Sequence, residues 1–252
     1  FVSTVSHELR TPLTSISGAL DLVVGGALGT LPSQAHDLLQ LAQRNARRLG
    51  TLVGDLLDLE KLLAGKLSLN RSLQDLGSLM VDTVAALQPY AERFDVSMKM
   101  HPVPRVQLNT DPGRFSQILT NLLSNAIKFS PRGGCVEVEA ELTDDVVELR
   151  VLDRGSGVPE AFRGQLFQSF AQAEGGSDRS HEGTGLGLAI SRELTARLGG
   201  DIGYRPRDGS GSCFWVRLAV QPEAPPLPAA PSRPMILIVE DDPDMAAVLG
   251  LL

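Results

Sequence analysis

The spacing of apolar residues in the first 66 positions most constrains the fold of this chain. Apolar side chains recur there at alternating steps of four and three, which is typical of packed amphipathic helices. The first run consists of Leu9, Leu13, Ile16, Leu20 and Val23. The second run consists of Leu38, Ala42, Leu49, Leu52, Leu56, Leu59 and Leu63. Glycines and Pro32 interrupt the helical pattern between the two runs. The pattern predicts a helical hairpin over residues 1–66.

The hairpin is expected to form a homodimer through its two helices. Two amphipathic helices alone make a thin core, and a second copy would bury both apolar stripes in a four-helix bundle. The alternative is a hairpin that packs against its own C-terminal region. We favour the homodimer.

Residues 67–219 predict a domain of strands and helices. Apolar and polar residues alternate at 136–142, 147–151 and 214–218, as they do in strands with one buried face. We therefore expect one α+β domain, a sandwich with helices on one face of a mixed sheet.

Two helices of this domain have clear boundaries in the sequence. Asp111 followed by Pro112 is typical of an N-cap and a first helical turn, and this helix should extend to about Phe129. Another helix should run from about Leu186 until Gly199 and the glycine after it end the helix.

Composition excludes several classes of protein. The chain has 23 basic and 30 acidic residues and a formal net charge of −7, which disfavours nucleic acid as a partner. No apolar run reaches the roughly 18 residues that a membrane span needs, so we expect none within these residues. Cys135 and Cys213 are far apart and lack CxxC spacing, which makes a zinc site or a disulfide framework improbable and suits a cytoplasmic location. The first residue is Phe1 rather than Met, and residues 1–20 do not resemble a signal peptide, so we expect a fragment of a longer protein.

The C-terminal residues predict a linker and the start of another domain. Residues 220–234 are rich in proline and should form a semi-extended linker. Residues 235–252 begin with a short apolar run, which Glu240 and Asp241 follow. This order resembles the first strand and the magnesium-binding acid pair of a receiver domain, cut short before its phosphoaccepting aspartate. A chance apolar and acidic tail is the alternative.

His7 is the candidate reactive residue of the hairpin. It lies off the apolar stripe, so its imidazole should face solvent or a partner and be largely neutral near pH 7. A neutral imidazole is a competent nucleophile, which Glu8 could orient or deprotonate. Pro12 cannot donate to the carbonyl of residue 8 and should bend the helix there. Taken alone, one exposed histidine is more often an ordinary surface residue.

The string Ser6-His-Glu-Leu-Arg-Thr-Pro-Leu13 resembles the H-box of HisKA-type sensor histidine kinases. The resemblance implies that His7 is the phosphoacceptor and that Glu8 assists the transfer. It also implies that Thr11 helps to dephosphorylate the partner regulator by placing a water molecule.

Three polar patterns suit a nucleotide. Asn121, Asn125 and Lys128 form one polar stripe on the predicted helix, where amide oxygens suit magnesium and the lysine suits phosphate. A solvated helix face is the alternative. Asp153 follows a strand and opens a glycine-containing loop, where its carboxylate could accept a hydrogen bond from an adenine amino group. An ordinary surface loop is the alternative there. Residues 183–188 form a second glycine-rich stretch that opens a helix, and free N–H groups there favour phosphate.

These patterns stand in the order of the N-box, first glycine box, F-box and second glycine box of the same kinase family. They resemble the ATP-binding fold of the GHKL (Bergerat) group, which includes gyrase, mismatch-repair and heat-shock ATPases. The resemblance implies ATP and Mg²⁺ as cofactors, Asn125 as the main magnesium ligand with Asn121 in support, and Asp153 as the adenine contact. The other ATP-binding residues that it implies are Lys128, Phe129, Gly155, Gly157, Phe170, Gly183, Thr184, Gly185, Leu186 and Gly187.

The resemblance also implies a mobile lid and exposes one departure. Residues 171–182 should form the lid over the phosphates, with Arg179 and His181 as candidate phosphate contacts. Many family members carry an arginine shortly after the F-box phenylalanine, where this chain has Gln172.

The function expected from the resemblance is that of a sensor histidine kinase core. It would phosphorylate His7 from Mg-ATP and pass the phosphoryl group to an aspartate of a response regulator or of its own receiver domain. A hinge near residues 63–69 would let the ATP domain swing towards His7. The alternatives are a pseudokinase scaffold, which Gln172 keeps open, and a mechanical GHKL ATPase, which would lack an H-box.

Overall fold

The computed structural model describes residues 2–27, 29, 31–172 and 184–220, without the side chains of residues 2–8 and 10. Most of the lid predicted over residues 171–182, including Arg179 and His181, lies outside the described residues, as does Gly183. So do residues 221–252, which include Glu240, Asp241 and nearly all of the predicted linker. The domain boundaries predicted at 66, 219 and 234 stay predictions.

Two long helices form the predicted hairpin. Helix α1 spans Val2–Val24 and helix α2 spans Ser33–Leu63. Gly26 and Gly29 adopt φ angles of 86° and 91° in the connection, a region that favours glycine. No helix in the described part of the chain is long and apolar enough to cross a membrane.

A cavity between the two helices is lined by both small and apolar residues, among them Leu13, Ser17, Gly50, Gly54 and Leu57. The stripe residues Leu9, Ile16, Leu38, Leu49, Leu56 and Leu63 are between 40% and 67% exposed. Other stripe residues, such as Leu13, Leu20 and Leu52, are half-buried, and Leu59 is buried. A large part of the stripe is therefore exposed within one chain.

The second region contains seven strands and four helices. They are β1 Ser72–Asp75, α3 Leu76–Arg93, β2 Ser97–Met100, β3 Gln107–Thr110, α4 Pro112–Phe129, β4 Cys135–Thr143, β5 Val146–Leu152, α5 Glu160–Arg163, α6 Gly187–Arg197, β6 Asp201–Pro206 and β7 Ser212–Ala219.

Five of these strands form the main sheet in the order β2-β4-β5-β7-β6. Only β2 and β4 pair in parallel, while β1 and β3 form a separate antiparallel pair. The alternating apolar residues of β4, β5 and β7 share one core with the residues that α3, α4 and α6 bury. The prediction of helices on one face of a mixed sheet is confirmed.

Helix α4 forms as its sequence predicts. The carboxylate of Asp111 accepts a hydrogen bond from the N–H of Arg114 at 3.1 Å, and Pro112 begins the helix. Its buried face carries Phe115, Ile118, Leu119, Leu122, Leu123, Ala126 and Ile127. Full burial of one leucine stabilises a fold by about 1.5–3 kcal/mol, so this face anchors the helix and fixes the direction of its polar residues.

The opposite face of the sheet is charged and carries one large aromatic residue. Glu148 accepts hydrogen bonds from Arg205 at 3.0 and 3.1 Å and from Arg217 at 2.7 Å. Burial raises the pKa of Glu148, but these hydrogen bonds outweigh it and hold the pKa below its usual value. Both guanidinium groups also lie against the ring of Trp215, and Gly203 leaves room for that ring.

The C-terminal end of α2 packs against the second region. Leu59 and Leu62 are 4% and 1% exposed and belong to its core. Asp58 forms an ion pair with Arg114 at 3.2 Å, and the guanidinium of Arg197 donates to the carbonyl of Leu62. In this arrangement the end of the hairpin and the second domain are in direct contact.

Candidate functional site

The polar residues of α4 lie on the face away from its buried side, as the spacing predicts. Asn121 is half-buried, and its amide donates to the carbonyl of Gly187 at 3.0 Å and to the hydroxyl of Ser191 at 3.2 Å. These bonds tie α4 to the start of α6. Asn125 is half-buried, and its side chain makes no hydrogen bond to any described residue. Its amide oxygen therefore remains available to a ligand.

The end of α4 adds a cation and an aromatic ring. The Nζ atom of Lys128 lies 5.1 Å from the centre of the Phe129 ring. Phe129 is 50% exposed, which is unusual for a large aromatic side chain in a domain with few of them. A planar base or a sugar could cover this ring.

Asp153 is a buried carboxylate at the end of β5, with only 2% of its surface exposed. Its Oδ1 accepts hydrogen bonds from the N–H groups of Gly155 at 2.8 Å and Ser212 at 3.2 Å. Burial raises the pKa of Asp153, and these hydrogen bonds offset the rise only in part. Both backbone donors use Oδ1, so Oδ2 is the oxygen better placed to meet a ligand.

The first glycine loop requires glycine at two positions, for space at Gly155 and for the backbone conformation at Gly157. A Cβ on Gly155 would lie 2.2 Å from the carbonyl oxygen of Phe129. This close approach brings the first glycine box against the end of the N-box helix. Gly157, the other predicted glycine of this loop, adopts a φ of 72°.

The loop at residues 207–212, which the sequence did not predict as part of the site, contacts the backbone and the side chain of Asp153. The N–H of Asp153 donates to the carbonyl of Ser212 at 3.0 Å, and Arg207 donates to the carbonyl of Asp153 at 3.4 Å. Gly211 has a φ of 111°, and a Cβ there would lie 2.1 Å from the carbonyl oxygen of Asp153. The signal was the Gly-Ser-Gly-Ser run at residues 209–212, directly before a predicted strand.

The F-box and the second glycine box touch each other. The N–H of Phe170 donates to the carbonyl of Gly185 at 2.9 Å, and Phe170 is 60% exposed with a φ of 63°. Gly185 has a φ of 71°, and a Cβ there would lie 2.9 Å from the backbone of Phe170. Phe170 is a non-glycine residue at positive φ, and such a strained conformation is usually held in place by the surrounding structure.

Thr184 connects the second glycine box to the hairpin. Its hydroxyl donates to Asp55 of α2 at 3.3 Å and accepts from the N–H of Leu186 at 3.2 Å. Burial raises the pKa of Asp55, and the hydrogen bond from Thr184 offsets this only in part. Leu186 is buried, and Gly187 begins α6. The start of this helix presents free N–H groups, which suit an anion.

Helix α1 contains the candidate phosphoacceptor. His7 and Glu8 lie in its helical backbone, and their side chains are outside the described part. Thr11 is exposed, and its carbonyl accepts a hydrogen bond from the hydroxyl of Ser15 at 3.2 Å. Pro12 is accommodated inside the helix.

The structure brings the N-box, both glycine boxes and the F-box together around one site. That site combines a buried carboxylate, exposed aromatic rings, amide groups on α4 and the start of α6. These groups match an adenine, a sugar and a chain of phosphates. Fold and site together define a nucleotide-binding domain of the two-layer α/β type, joined to a helical hairpin that carries a histidine.

Comparison with known families agrees with this class. Residues 1–65 match the His Kinase A (phospho-acceptor) domain, and residues 110–222 match the histidine kinase-, DNA gyrase B- and HSP90-like ATPase domain. The first match implies dimerisation, and the second implies ATP binding. The chain belongs to the HisKA-type sensor histidine kinases.

Individual relatives are kinases of the same kind. The chain is 34% identical to the circadian input-output histidine kinase CikA of Synechococcus elongatus, over 99% of this chain and 34% of that protein. It is 38% identical to the sensor protein GacS of Pseudomonas syringae pv. syringae, over 86% of this chain and 24% of that protein. It therefore spans about a third or less of the length of these relatives.

A solved structure shares the fold. Full-length ShkA, crystallised in complex with AMPPNP, superposes with a TM-score of 0.73 and 31% identity. The match covers 91% of this chain and 48% of ShkA.

Proposed function

We propose that this chain is a catalytic core that transfers the γ-phosphoryl group of ATP to the imidazole of His7. The observation that carries the proposal is the presence, in one chain, of an H-box helix and a site in which four nucleotide-binding motifs converge. In the reaction, a ring nitrogen of His7 bonds to the γ-phosphorus, the bond to the β,γ-bridging oxygen breaks, and ADP leaves. Positioning and charge neutralisation provide most of the catalysis in such a transfer.

Asp153 binds the adenine in this proposal. The carboxylate accepts a hydrogen bond from the exocyclic amino group, and its fixed position on Gly155 and Ser212 supports this role. The exposed ring of Phe129 stacks near the base or sugar. The complex of the similar protein ShkA with AMPPNP supports nucleotide binding by this fold.

Magnesium and basic groups neutralise the phosphates. Asn125 is the proposed main magnesium ligand with Asn121 in support, because the amide oxygen of Asn125 is uncommitted and amide oxygens suit this hard cation. When bound, the ion supplies positive charge to the phosphate oxygens. Lys128 and the N–H groups at the start of α6 add to that charge.

Glu8 and Thr11 act at the phosphoacceptor. Glu8 orients the imidazole of His7 and accepts the proton of its other ring nitrogen as the N–P bond forms, which leaves the phosphorylated ring neutral. Thr11 serves a separate reaction, in which it places a water molecule that hydrolyses the phosphoryl group of the partner regulator and releases phosphate. The movement of the ATP domain towards His7 is assigned to residues 63–69, where Gly65 adopts a φ of 71°.

The proposal includes a homodimer and an aspartate acceptor. Stripe residues such as Leu49 and Leu56 are exposed within one chain, and a second hairpin would cover them. The phosphoryl group then passes to a response regulator or to a receiver domain beyond the linker, where Glu240 and Asp241 would bind magnesium. Because ATP is the phosphoryl donor, we place this core in the cytoplasm.

One observation favours a second candidate, a pseudokinase scaffold that binds nucleotide or partners without phosphoryl transfer. Gln172 stands where many family members have a cation close to the phosphates.

Labelling with ATP that carries ³²P at the γ position tests the proposal. The chain should gain label that acid removes and base does not, as expected for phosphohistidine. His7→Gln should abolish the label and retain nucleotide binding. His36→Gln is the matched control, because His36 lies on α2 and contacts Gln40 rather than the H-box.

Each outcome separates the alternatives. Full labelling of His7→Gln would show that another residue is the acceptor. Nucleotide binding without any label in the unmodified chain would favour the scaffold. Asn125→Ala should lose the part of nucleotide affinity that depends on magnesium.

A further inference from the structure

The charged face of the main sheet brings three metal-ligating side chains together. His101 follows β2, and its N–H donates to the carbonyl of Val138 at 2.9 Å, which fixes it beside β4. Glu137 and Glu139 lie two residues apart on β4, so both point to this face. Among the described residues, the possible ligand atoms of these three side chains lie within 4.8 Å of one another.

We propose that His101, Glu137 and Glu139, here called the His101 cluster, bind a divalent transition metal ion such as Zn²⁺. The cluster lies on the face of β4 opposite Val136 and Val138, which are buried under the helices. It is therefore separate from the nucleotide site and from the magnesium proposed there. The inference does not depend on the proposed phosphoryl transfer.

The distances fit a tetrahedral ion. Ligands at about 2.0–2.2 Å from zinc in tetrahedral geometry stand roughly 3.4 Å apart. The Nε2 atom of His101 lies 3.3 Å from Oε2 of Glu137 and 3.9 Å from Oε1 of Glu139. All three atoms lie within 4.8 Å of one another, so small side-chain rotations would bring them to the required spacing. Three protein ligands leave the fourth position to water.

Two arginines orient the carboxylates without using the proposed ligand oxygens. Arg207 lies 2.6 Å from Oε1 of Glu137, and Arg150 lies 3.2 Å from Oε2 of Glu139. In each carboxylate, the oxygen near His101 is thus not the one that the arginine contacts most closely. Outer partners of this kind position ligands in metal sites. Their positive charge also repels a cation, so we expect weaker binding than in a four-ligand structural site.

The ligand types select the metal. Magnesium and calcium prefer oxygen ligands alone, whereas an imidazole with two carboxylates suits zinc and its neighbours in the first transition row. The three side chains are between 22% and 31% exposed, which leaves an entry path from solvent. The site has no local sequence signature, because His101 is 36 positions from Glu137 in the chain.

Calorimetric titration of the metal-free 252-residue chain with ZnCl₂ tests the proposal, with thermal unfolding as a second measurement. The unmodified chain should bind zinc in a saturable step and unfold at a higher temperature with zinc than without it. Loss of one outer-shell partner lowers metal affinity by about 10- to 100-fold, so loss of a direct ligand should lower it at least as much. His101→Ala and Glu139→Gln should both show this decrease, and both should remain folded because the side chains lie at the surface.

Matched variants exclude other zinc ligands. His36→Ala removes a histidine on the hairpin, and Cys135→Ser removes a thiol two residues before Glu137 on the same strand. Both should keep the zinc step, also with saturating magnesium and ADP. The proposal is overturned if the zinc step survives in both His101→Ala and Glu139→Gln, or if it is lost in Cys135→Ser.

Discussion

Replacement of Asp153 by asparagine isolates the role of its negative charge in adenine binding. Asparagine keeps the size of the side chain and an oxygen that can accept from the N–H groups of Gly155 and Ser212. In the unmodified chain these nitrogens lie 2.8 and 3.2 Å from Oδ1 of Asp153. The other oxygen becomes an NH₂ group, which is a donor like the adenine amino group. The variant therefore loses one charge-assisted hydrogen bond and places two donors together.

The expected loss of affinity follows from that exchange. A hydrogen bond to a charged group contributes about 1.5–3 kcal/mol. Since about 1.4 kcal/mol corresponds to a factor of ten, AMPPNP should bind roughly 10- to 150-fold more weakly to the variant.

Although Asp153→Asn should weaken AMPPNP binding, it should not lower the stability of the fold. Burial raises the pKa of Asp153, so its ionised form costs stability once the pH exceeds the ordinary aspartate pKa, and the full cost is reached above the raised pKa. The neutral asparagine does not carry this cost. At pH 7 the variant should unfold at the same or a higher temperature than the unmodified chain, and the difference should shrink as the pH falls towards 4.

Calorimetric titration with AMPPNP and thermal unfolding measure the two effects. Asp144→Asn is the matched control, because Asp144 lies in the exposed β4–β5 turn with a φ of 52°, which asparagine tolerates well. Unchanged AMPPNP affinity in Asp153→Asn would refute the assignment of the adenine contact. A loss of affinity accompanied by a lower unfolding temperature would show that the carboxylate is mainly structural.

Three further predictions concern the dimer, the loop at residues 207–212 and the charged face. Leu56→Asp should convert the dimer to a monomer in light scattering, whereas Leu142→Asp, at the same 40% exposure on β4, should not. Gly211→Ala should weaken AMPPNP binding and lower the free energy of unfolding in urea by more than about 2 kcal/mol, because the new Cβ would clash with the backbone. Its control is Gly209→Ala, also at positive φ but in open space, which should lower the free energy of unfolding by only about 1 kcal/mol. Glu148→Gln should lower stability by about 1 kcal/mol at pH 7, and this difference should vanish as the pH falls through the lowered pKa of Glu148.

Contrary results would be informative in each case. A dimeric Leu56→Asp chain would place the interface elsewhere. Unchanged AMPPNP binding in Gly211→Ala would show that the loop at residues 207–212 is not part of the nucleotide site, and equal stability costs for the two glycine variants would contradict the predicted clash at residue 211. A pH-independent effect of Glu148→Gln would mean that packing, not charge, explains it.

Local patterns explain which elements the sequence predicted. The N-cap at Asp111, the proline after it and the glycines after α6 lie within a few residues of the helix ends that they mark. Strands β4, β5 and β7 are long enough for apolar alternation to be visible. Strands β1, β2 and β3 have four residues each, which is too short for a periodic signal.

Contacts between distant residues explain what the sequence could not predict. Ser212 holds Asp153 from 59 positions away, and Thr184 meets Asp55 across 129 positions. Neither pair has a local signature. The apolar stripe of the hairpin was visible in the sequence, but periodicity does not tell which face meets the neighbouring helix. The cavity between the helices is lined by Leu13 and Leu57 as well as by glycines and Ser17.

The hydroxyl of Thr184, in the second glycine box, donates its hydrogen bond to Asp55 of the hairpin. A hydroxyl donates a single hydrogen bond, so Thr184 cannot serve Asp55 and a phosphate oxygen at the same time. A nucleotide phosphate that accepted from this hydroxyl would break the hydrogen bond to Asp55 and leave that half-buried carboxylate without its donor. Leu59 and Leu62 would still join α2 to the core, because their packing does not involve this hydroxyl.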